Sequence, residues 1–151
     1  MIMKKKFLLF LLMICVVAGS LQAQIRKVPS EVTDALKAKF PNAQKVEWKD
    51  KVTYFEAGFV SDGVEMTSDF SSKGEWQETD KKISFDQLPA TVKDGFKKSK
   101  YNDWTPGSVT QIDKNDKSVR YRVYVEKSSL VQKKFLYFNG EGQLTKEEQS
   151  L

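Results

Sequence analysis

The sequence predicts an α+β fold: two tandem units, each a helix followed by four antiparallel strands, joined in one sheet with both helices on one face. Three observations lead there. Leu88-Pro-Ala-Thr-Val92 restates Val28-Pro-Ser-Glu-Val32, and an internal repeat of this length sets the architecture before anything else does. After each copy the apolar spacing changes from helical to alternating. Each copy then closes on a similar hairpin, Asp69-Phe-Ser-Ser-Lys-Gly-Glu-Trp76 in one and Tyr137-Phe-Asn-Gly-Glu-Gly-Gln-Leu144 in the other.

The start of the chain stands apart from this pattern. Met1-Ile-Met-Lys-Lys-Lys6 is basic, Phe7 to Gly19 is almost unbroken apolar sequence, and Ser20-Leu-Gln-Ala23 ends on a small residue. These are the three parts of a secretory signal peptide, and residues 1–23 are expected to be removed by cleavage after Ala23. The apolar run is shorter than the roughly 20 residues a membrane-spanning helix needs. Cys15 lies inside it, behind Ile14 and ahead of Val16 and Val17, a poor setting for a lipid-acceptor cysteine. The exported domain, 24–151, then has no cysteine and no thiol or disulfide chemistry. A periplasmic or secreted location follows, without stable membrane insertion.

In the first unit, about 28–82, Val28, Val32, Leu36 and Phe40 recur every four residues and mark one helix face. Pro29 suits the first turn, the acids lie early and the lysines late, and Pro41-Asn42 ends the helix. Val46 and Trp48 then alternate, Lys49-Asp50-Lys51 turns, and Thr53, Phe55, Ala57 and Phe59 form the inward set of the next strand. Ser61-Asp62-Gly63 is a hairpin turn. Val64, Met66, Ser68 and Phe70 alternate in the third strand, and Trp76 opens the fourth.

The second unit, about 88–148, repeats this with changes. Leu88, Val92 and Phe96 form the helix face, and Gly95 within it should weaken the helix by about 1 kcal/mol relative to alanine. Tyr101 to Gly107 reads as an aromatic loop, Val109 to Asp113 as a short strand, and Lys114-Asn-Asp-Lys117 as a turn. Val119, Tyr121, Val123 and Val125 are the one set of their strand that is apolar throughout, so they face the helices. Units of about 60 residues bury little apolar surface alone, which favours one sheet over a shared core, with Phe55, Phe59, Phe70, Trp76, Tyr121, Phe138 and Leu144 as core anchors.

Function is constrained mainly by what is missing. The chain has no histidine, which excludes histidine triads and the usual zinc sites. Ser-x-x-Lys does not occur either. Glu56, Glu65, Asp69 and Glu78 alternate along strands as solvated residues do, so no catalytic pair is assigned. Asp113-Lys-Asn-Asp-Lys-Ser118 begins like a calcium loop, but Ser118 stands where glycine is needed and Tyr124 where the bidentate glutamate is needed. No catalytic residue, metal site or cofactor is expected. Of the 25 basic residues, Lys4, Lys5 and Lys6 fall in the leader, and 20 residues are acidic. The exported chain is therefore nearly charge-balanced, without the basic footprint of a nucleic-acid binder.

The Leu/Val-Pro helix, Phe40-Pro-Asn-Ala43, Val46-Glu-Trp48 and the Phe-x-x-x-Gly-x-Trp/Leu hairpins resemble the PepSY-like, β-lactamase-inhibitor-like periplasmic proteins of the Bacteroidetes. The likeness runs from Val28 to about Lys146 in two copies and is structural rather than catalytic. It implies a tandem helix-plus-four-strand architecture, periplasmic export and no assigned enzymatic activity. It also implies kinship in shape with a secreted inhibitor of β-lactamase and with modules that restrain peptidases.

The remaining feature is a set of aromatics left over once the core is filled. Tyr54, Trp104 and Tyr124 are hard to bury, as is one of two sets in the seventh strand. Matching Lys134, Leu136 and Phe138 to Met66, Ser68 and Phe70 turns Lys133, Phe135 and Tyr137 outward; a slip of one residue exposes Leu136 and Phe138 instead. Arg120, Arg122 and Tyr124 point away from the helices in either case. Arginine and aromatic side chains dominate interface hot spots. The expected contact surface is therefore Arg120, Arg122, Tyr124, Lys133, Phe135 and Tyr137, the expected role is non-catalytic binding of a protein partner such as a peptidase or other envelope enzyme, and the alternative is a small-ligand carrier or sensor.

Overall fold

The computed structural model describes residues 26–150; the expected signal peptide, with Cys15, lies outside them. The first helix, α1 (Ser30–Lys39), buries Val32 and Leu36. Its first turn hangs on the carbonyl of Pro29, which accepts from the amides of Val32 and Thr33 at 3.2 Å. Four strands follow: β1 (Gln44–Asp50), β2 (Phe55–Ser61), β3 (Val64–Phe70) and β4 (Trp76–Ile83). A 3₁₀ turn at Phe85–Gln87, closed by a capping box between Ser84 and Gln87, leads into α2 (Ala90–Lys98). The chain ends with β5 (Thr105–Lys114), β6 (Val119–Lys127), β7 (Gln132–Asn139) and β8 (Leu144–Gln149).

All eight strands form one antiparallel sheet in sequence order, β1 to β8. The two halves are stitched by the β4–β5 ladder, from Glu78 opposite Lys114 to Ile83 opposite Val109. Tight turns fix the registers on either side. Between β2 and β3, Asp62 and Gly63 both have positive φ, 51° and 79°, the geometry that matches strand twist in a two-residue hairpin. In β1 one extra residue bulges between Gln44 and Glu47, with Lys45 at φ 54°, and such a bulge bends an edge strand away from further pairing.

The expected single core is two clusters. One gathers Val32 and Leu36 of α1 with Phe55, Ala57, Phe59 and Phe70. The other gathers Leu88, Val92 and Phe96 around α2 with Val109, Val123, Val125, Leu136 and Phe138. Between them the same registers carry polar pairs, Ser68 with Thr79, Thr79 with Asp113, and Lys81 with Gln111. The burial there is of hydrogen bonds: Trp76 Nε1 donates to Thr79 Oγ1 at 2.8 Å, Thr79 and Ser68 share a hydroxyl bond of 2.8 Å, and Ser68 Oγ donates to the Glu78 carbonyl at 3.0 Å. That chain leaves no buried hydroxyl unpaired, which is the condition for polar groups in an interior.

Three sequence expectations need correction. Tyr101 and Trp104 are buried in the second cluster, packed edge to face with centroids 5.0 Å apart, because β5 starts at Thr105 and draws the preceding turn over the sheet. Thr53 belongs to the β1–β2 turn rather than to β2 and is exposed. Trp76 and Leu144 only flank the clusters, partly buried, and Trp76 is capped by Lys39 Nζ, 3.6 Å from its ring centroid.

The two closing hairpins are built alike. Each carries a bulge, between Asp69 and Phe70 in the first and between Tyr137 and Phe138 in the second. Ser71 Oγ accepts from the Glu75 amide at 3.2 Å, and Asn139 Oδ1 accepts from the Gln143 amide at 2.9 Å. Gly74 and Gly142 hold the left-handed position, at φ 79° and 83°, and each lies against a helix backbone.

Candidate partner-binding face

The face of the sheet turned away from the two clusters is set by parity in β6. Tyr121, Val123 and Val125 are buried, so Arg120, Arg122 and Tyr124 project oppositely. In β7, Leu136 and Phe138 are fully buried, which selects the first of the two possible registers. Arg122 stands opposite Tyr137, Tyr124 opposite Phe135, and Glu126 opposite Lys133. All six residues predicted for a contact surface therefore share this open face.

Their environments differ. Arg120 and Lys133 are exposed, while Arg122, Tyr124, Phe135 and Tyr137 are half-buried. The Tyr124 ring covers Gly107, where an added Cβ would come within 2.8 Å of it, and meets Phe135 edge-on with centroids 5.6 Å apart. A ring laid over a glycine shields backbone that a side chain would otherwise cover. The Arg122 guanidinium also lies over Phe135, 5.8 Å from the ring centroid. Tyr137 donates to Glu148 Oε2 at 2.6 Å, and Lys146 Nζ lies 5.3 Å from its ring centroid.

Sequence reasoning did not find the internal partner of Arg122. Its guanidinium donates to Asp80 Oδ2 at 3.1 Å and to Thr110 Oγ1 at 3.3 Å, reaching across β5 to β4. Asp80 Oδ1 is buried without a hydrogen-bond partner. Burial raises the Asp80 carboxyl above the usual range and Arg122 opposes that. The parity of Asp80, next to inward Thr79, was a signal for its face; its pairing with a strand 42 residues away was not.

The other half of the open face is acidic. Glu56 stands opposite Asp69 and Asp69 opposite Glu78, with Tyr54, Thr67 and Asp80 around the same depression. Lys49 and Lys51 approach Glu56 at 3.6 Å, and Lys114 pairs with Glu78. Asp69, without an ion pair among the described residues, is pushed up to about 6 by burial and then by Glu56, Glu78 and Asp80. The expectation that these acids are merely solvated fails at Asp69, because registered strands bring together carboxylates that the sequence keeps apart. Among the described residues no group of three or more acidic residues is arranged to hold a metal ion, and no helix is long and apolar enough to cross a membrane.

The geometry defines an α+β protein built on a single antiparallel sheet, with a bare face of paired charges and aromatic rings. Residues 53–146 match the family described as "Putative beta-lactamase-inhibitor-like, PepSY-like", and the chain belongs to that family. Solved structures share the fold. A BLIP-like protein from Bacteroides fragilis is 30% identical with a TM-score of 0.75, over 84% of this chain and 89% of that one. A protein from Bacteroides eggerthii described as a putative periplasmic protein is 24% identical with a TM-score of 0.77, over 82% and 90%. A DUF2874 family protein from Bacteroides ovatus is 25% identical with a TM-score of 0.76, over 82% and 89%. No curated protein matches the chain. The family is thus of an inhibitor-like type by its description.

Proposed function

We propose that this chain is a non-catalytic binding module of the cell envelope that engages a protein partner, a peptidase or another envelope enzyme, through the open face of its second half. The observation that carries the reading is the β6–β7 register, which sets Arg122 beside Tyr137 and Tyr124 beside Phe135 on one uncovered surface, the side-chain types that supply most interface energy. The membership of an inhibitor-like family supports it, as does a neighbour described as periplasmic.

Two further readings belong with it. The chain is a tandem duplication with both helices over one face of the sheet; the repeated Pro-led helices and the two like-built hairpins support this. It is exported, with cleavage after Ala23, which the basic, apolar and small-residue segments of the start support. An exported chain whose intact mass includes Cys15 contradicts that cleavage.

The test of the function is capture from an envelope extract with the exported chain as bait. A specific enzyme should be enriched by the wild type and lost with Arg120→Ala, Lys133→Ala and Tyr137→Ala combined, while the thermal midpoint stays within a few degrees. Retention of the same enzyme by the folded triple variant rules this face out as the contact surface.

A further inference from the structure

The open face is polarised. Over β2 to β4 it carries Glu56, Glu65, Asp69, Glu78 and Asp80, with Lys82 among them; over β5 to β8 it carries Lys114, Arg120, Arg122, Lys133 and Lys146, with Glu126 and Glu148 among them. The registers that place them are given by the ladders from β2 to β8. Many of these charges pair within the chain, as Glu65 does with Lys82 at 2.8 Å, but the excess sign differs between the halves. Arg120 and Lys133 on one side and Asp69 on the other have no ion pair among the described residues.

A surface with opposite charge on its two halves is complementary to itself. We propose that the open face seats a second copy of this chain, related by a two-fold axis that runs parallel to the strands between β4 and β5. This rests on the reading of the open face as a docking surface and adds a second copy as an occupant that excludes the enzyme while it is seated there. Such an axis exchanges left and right across the sheet, laying β3 over β6 of the second copy and β4 over its β5. Glu65, Lys82, Thr110 and Arg122 lie in one row across these strands, so Glu65 of each copy meets Arg122 of the other. Glu78 and Lys114, opposite one another within the chain, meet again between chains. Arg120 falls on Thr67, between the other copy's Glu65 and Asp69, and Tyr137 falls on Val60. The reverse stacking, with like halves in contact, sets carboxylate on carboxylate, which costs several kcal/mol.

The size is adequate. Eight strands at about 4.8 Å spacing, each about seven residues long at about 3.4 Å per residue, give a face of roughly 900 Å². A standard stable interface takes about 800 Å² from each partner, and sheets pack face to face in this aligned manner. An isologous contact of this kind closes at two copies.

Analytical ultracentrifugation of the exported chain over a concentration series tests the proposal. The expected result is a dimer in low salt that dissociates in high salt as the charges are screened. Arg120→Glu alone and Glu65→Arg alone should each weaken the dimer at least about tenfold, the first by setting a carboxylate between Glu65 and Asp69 of the other copy and the second by setting a guanidinium against its Arg122. Both positions are exposed, and circular dichroism checks that each variant is folded. A chain that stays single at every concentration in low salt, or a dimer indifferent to salt and to both reversals, overturns the proposal. Envelope capture separates this from the broader reading: a monomer that still enriches one enzyme through Arg120, Lys133 and Tyr137 removes only the second copy, whereas loss of capture alone leaves the dimer standing.

Discussion

A Cβ added to Gly95 would lie 1.9 Å from the carbonyl oxygen of Gly142, and one added to Gly142 would lie 2.1 Å from the carbonyl oxygen of Thr91. Helix α2 and the β7–β8 turn therefore touch backbone to backbone. Thr91 Oγ1 adds a bond to the Gly140 carbonyl at 2.8 Å. The first half has the same approach, with Gly74 against the Glu31 carbonyl, but there alanine, Ala35, holds the position that Gly95 takes in the second.

Gly95→Ala should accordingly destabilise the fold by about 1–3 kcal/mol, the cost of overpacking, although helix propensity alone favours alanine by about 1 kcal/mol. Gly140→Ala, with nothing within 4 Å of the added atom, is the near-neutral control. Urea midpoints of the two variants decide it; a rise for Gly95→Ala would mean that the helix and turn separate freely.

Arg122→Ala should cost about 1–3 kcal/mol, because it leaves Asp80 half-buried with neither oxygen paired. The bond that Arg122 donates to Asp80 thus gives this side chain a part in stability as well as in the surface. Asp80→Asn should recover part of the loss, and a double-mutant cycle on thermal or urea unfolding measures the coupling. Strict additivity would show that the pair contributes nothing.

Asp69 sets a pH dependence whose sign follows from its raised value, about 6 in the folded chain against about 3.9 when unfolded. A group raised on folding binds its proton more tightly in the native state. Its contribution is fully present below about pH 4 and is lost as pH rises through about 6. Asp69→Asn should therefore raise the urea midpoint at pH 8 and leave it nearly unchanged at pH 4. An equal gain at both pH values would mean that packing, and not the carboxylate cluster, is responsible.

Trp76→Ala should cost about 3 kcal/mol, the low end for a buried aromatic, since the ring only flanks its cluster but also donates to Thr79. Leu144→Ala should cost about 2 kcal/mol. In both variants unfolding should remain one transition, because the β4–β5 ladder joins two clusters that are each marginal alone. Two transitions, one unshifted, would mean that the halves unfold independently.

The local architecture was legible in the residues themselves. Helix faces, strand alternation and the Asp62-Gly63 turn depend on spacing and on φ preferences that each short stretch carries, so they were readable without any partner. The parity of β6 was equally plain, since only Val119, Tyr121, Val123 and Val125 form an apolar set. Tertiary structure alone decided the rest. It chose the register of β7 over its one-residue slip, because Leu136 and Phe138 fill the cluster beneath α2. It buried Trp104, made Gly95 a contact rather than a weak point, drew Arg122 to Asp80, and gathered Glu56, Asp69 and Glu78 into one field. Each of these depends on which residues stand opposite across strands, a long-range relation that local spacing does not encode, and burial and charge at those positions follow from that pairing.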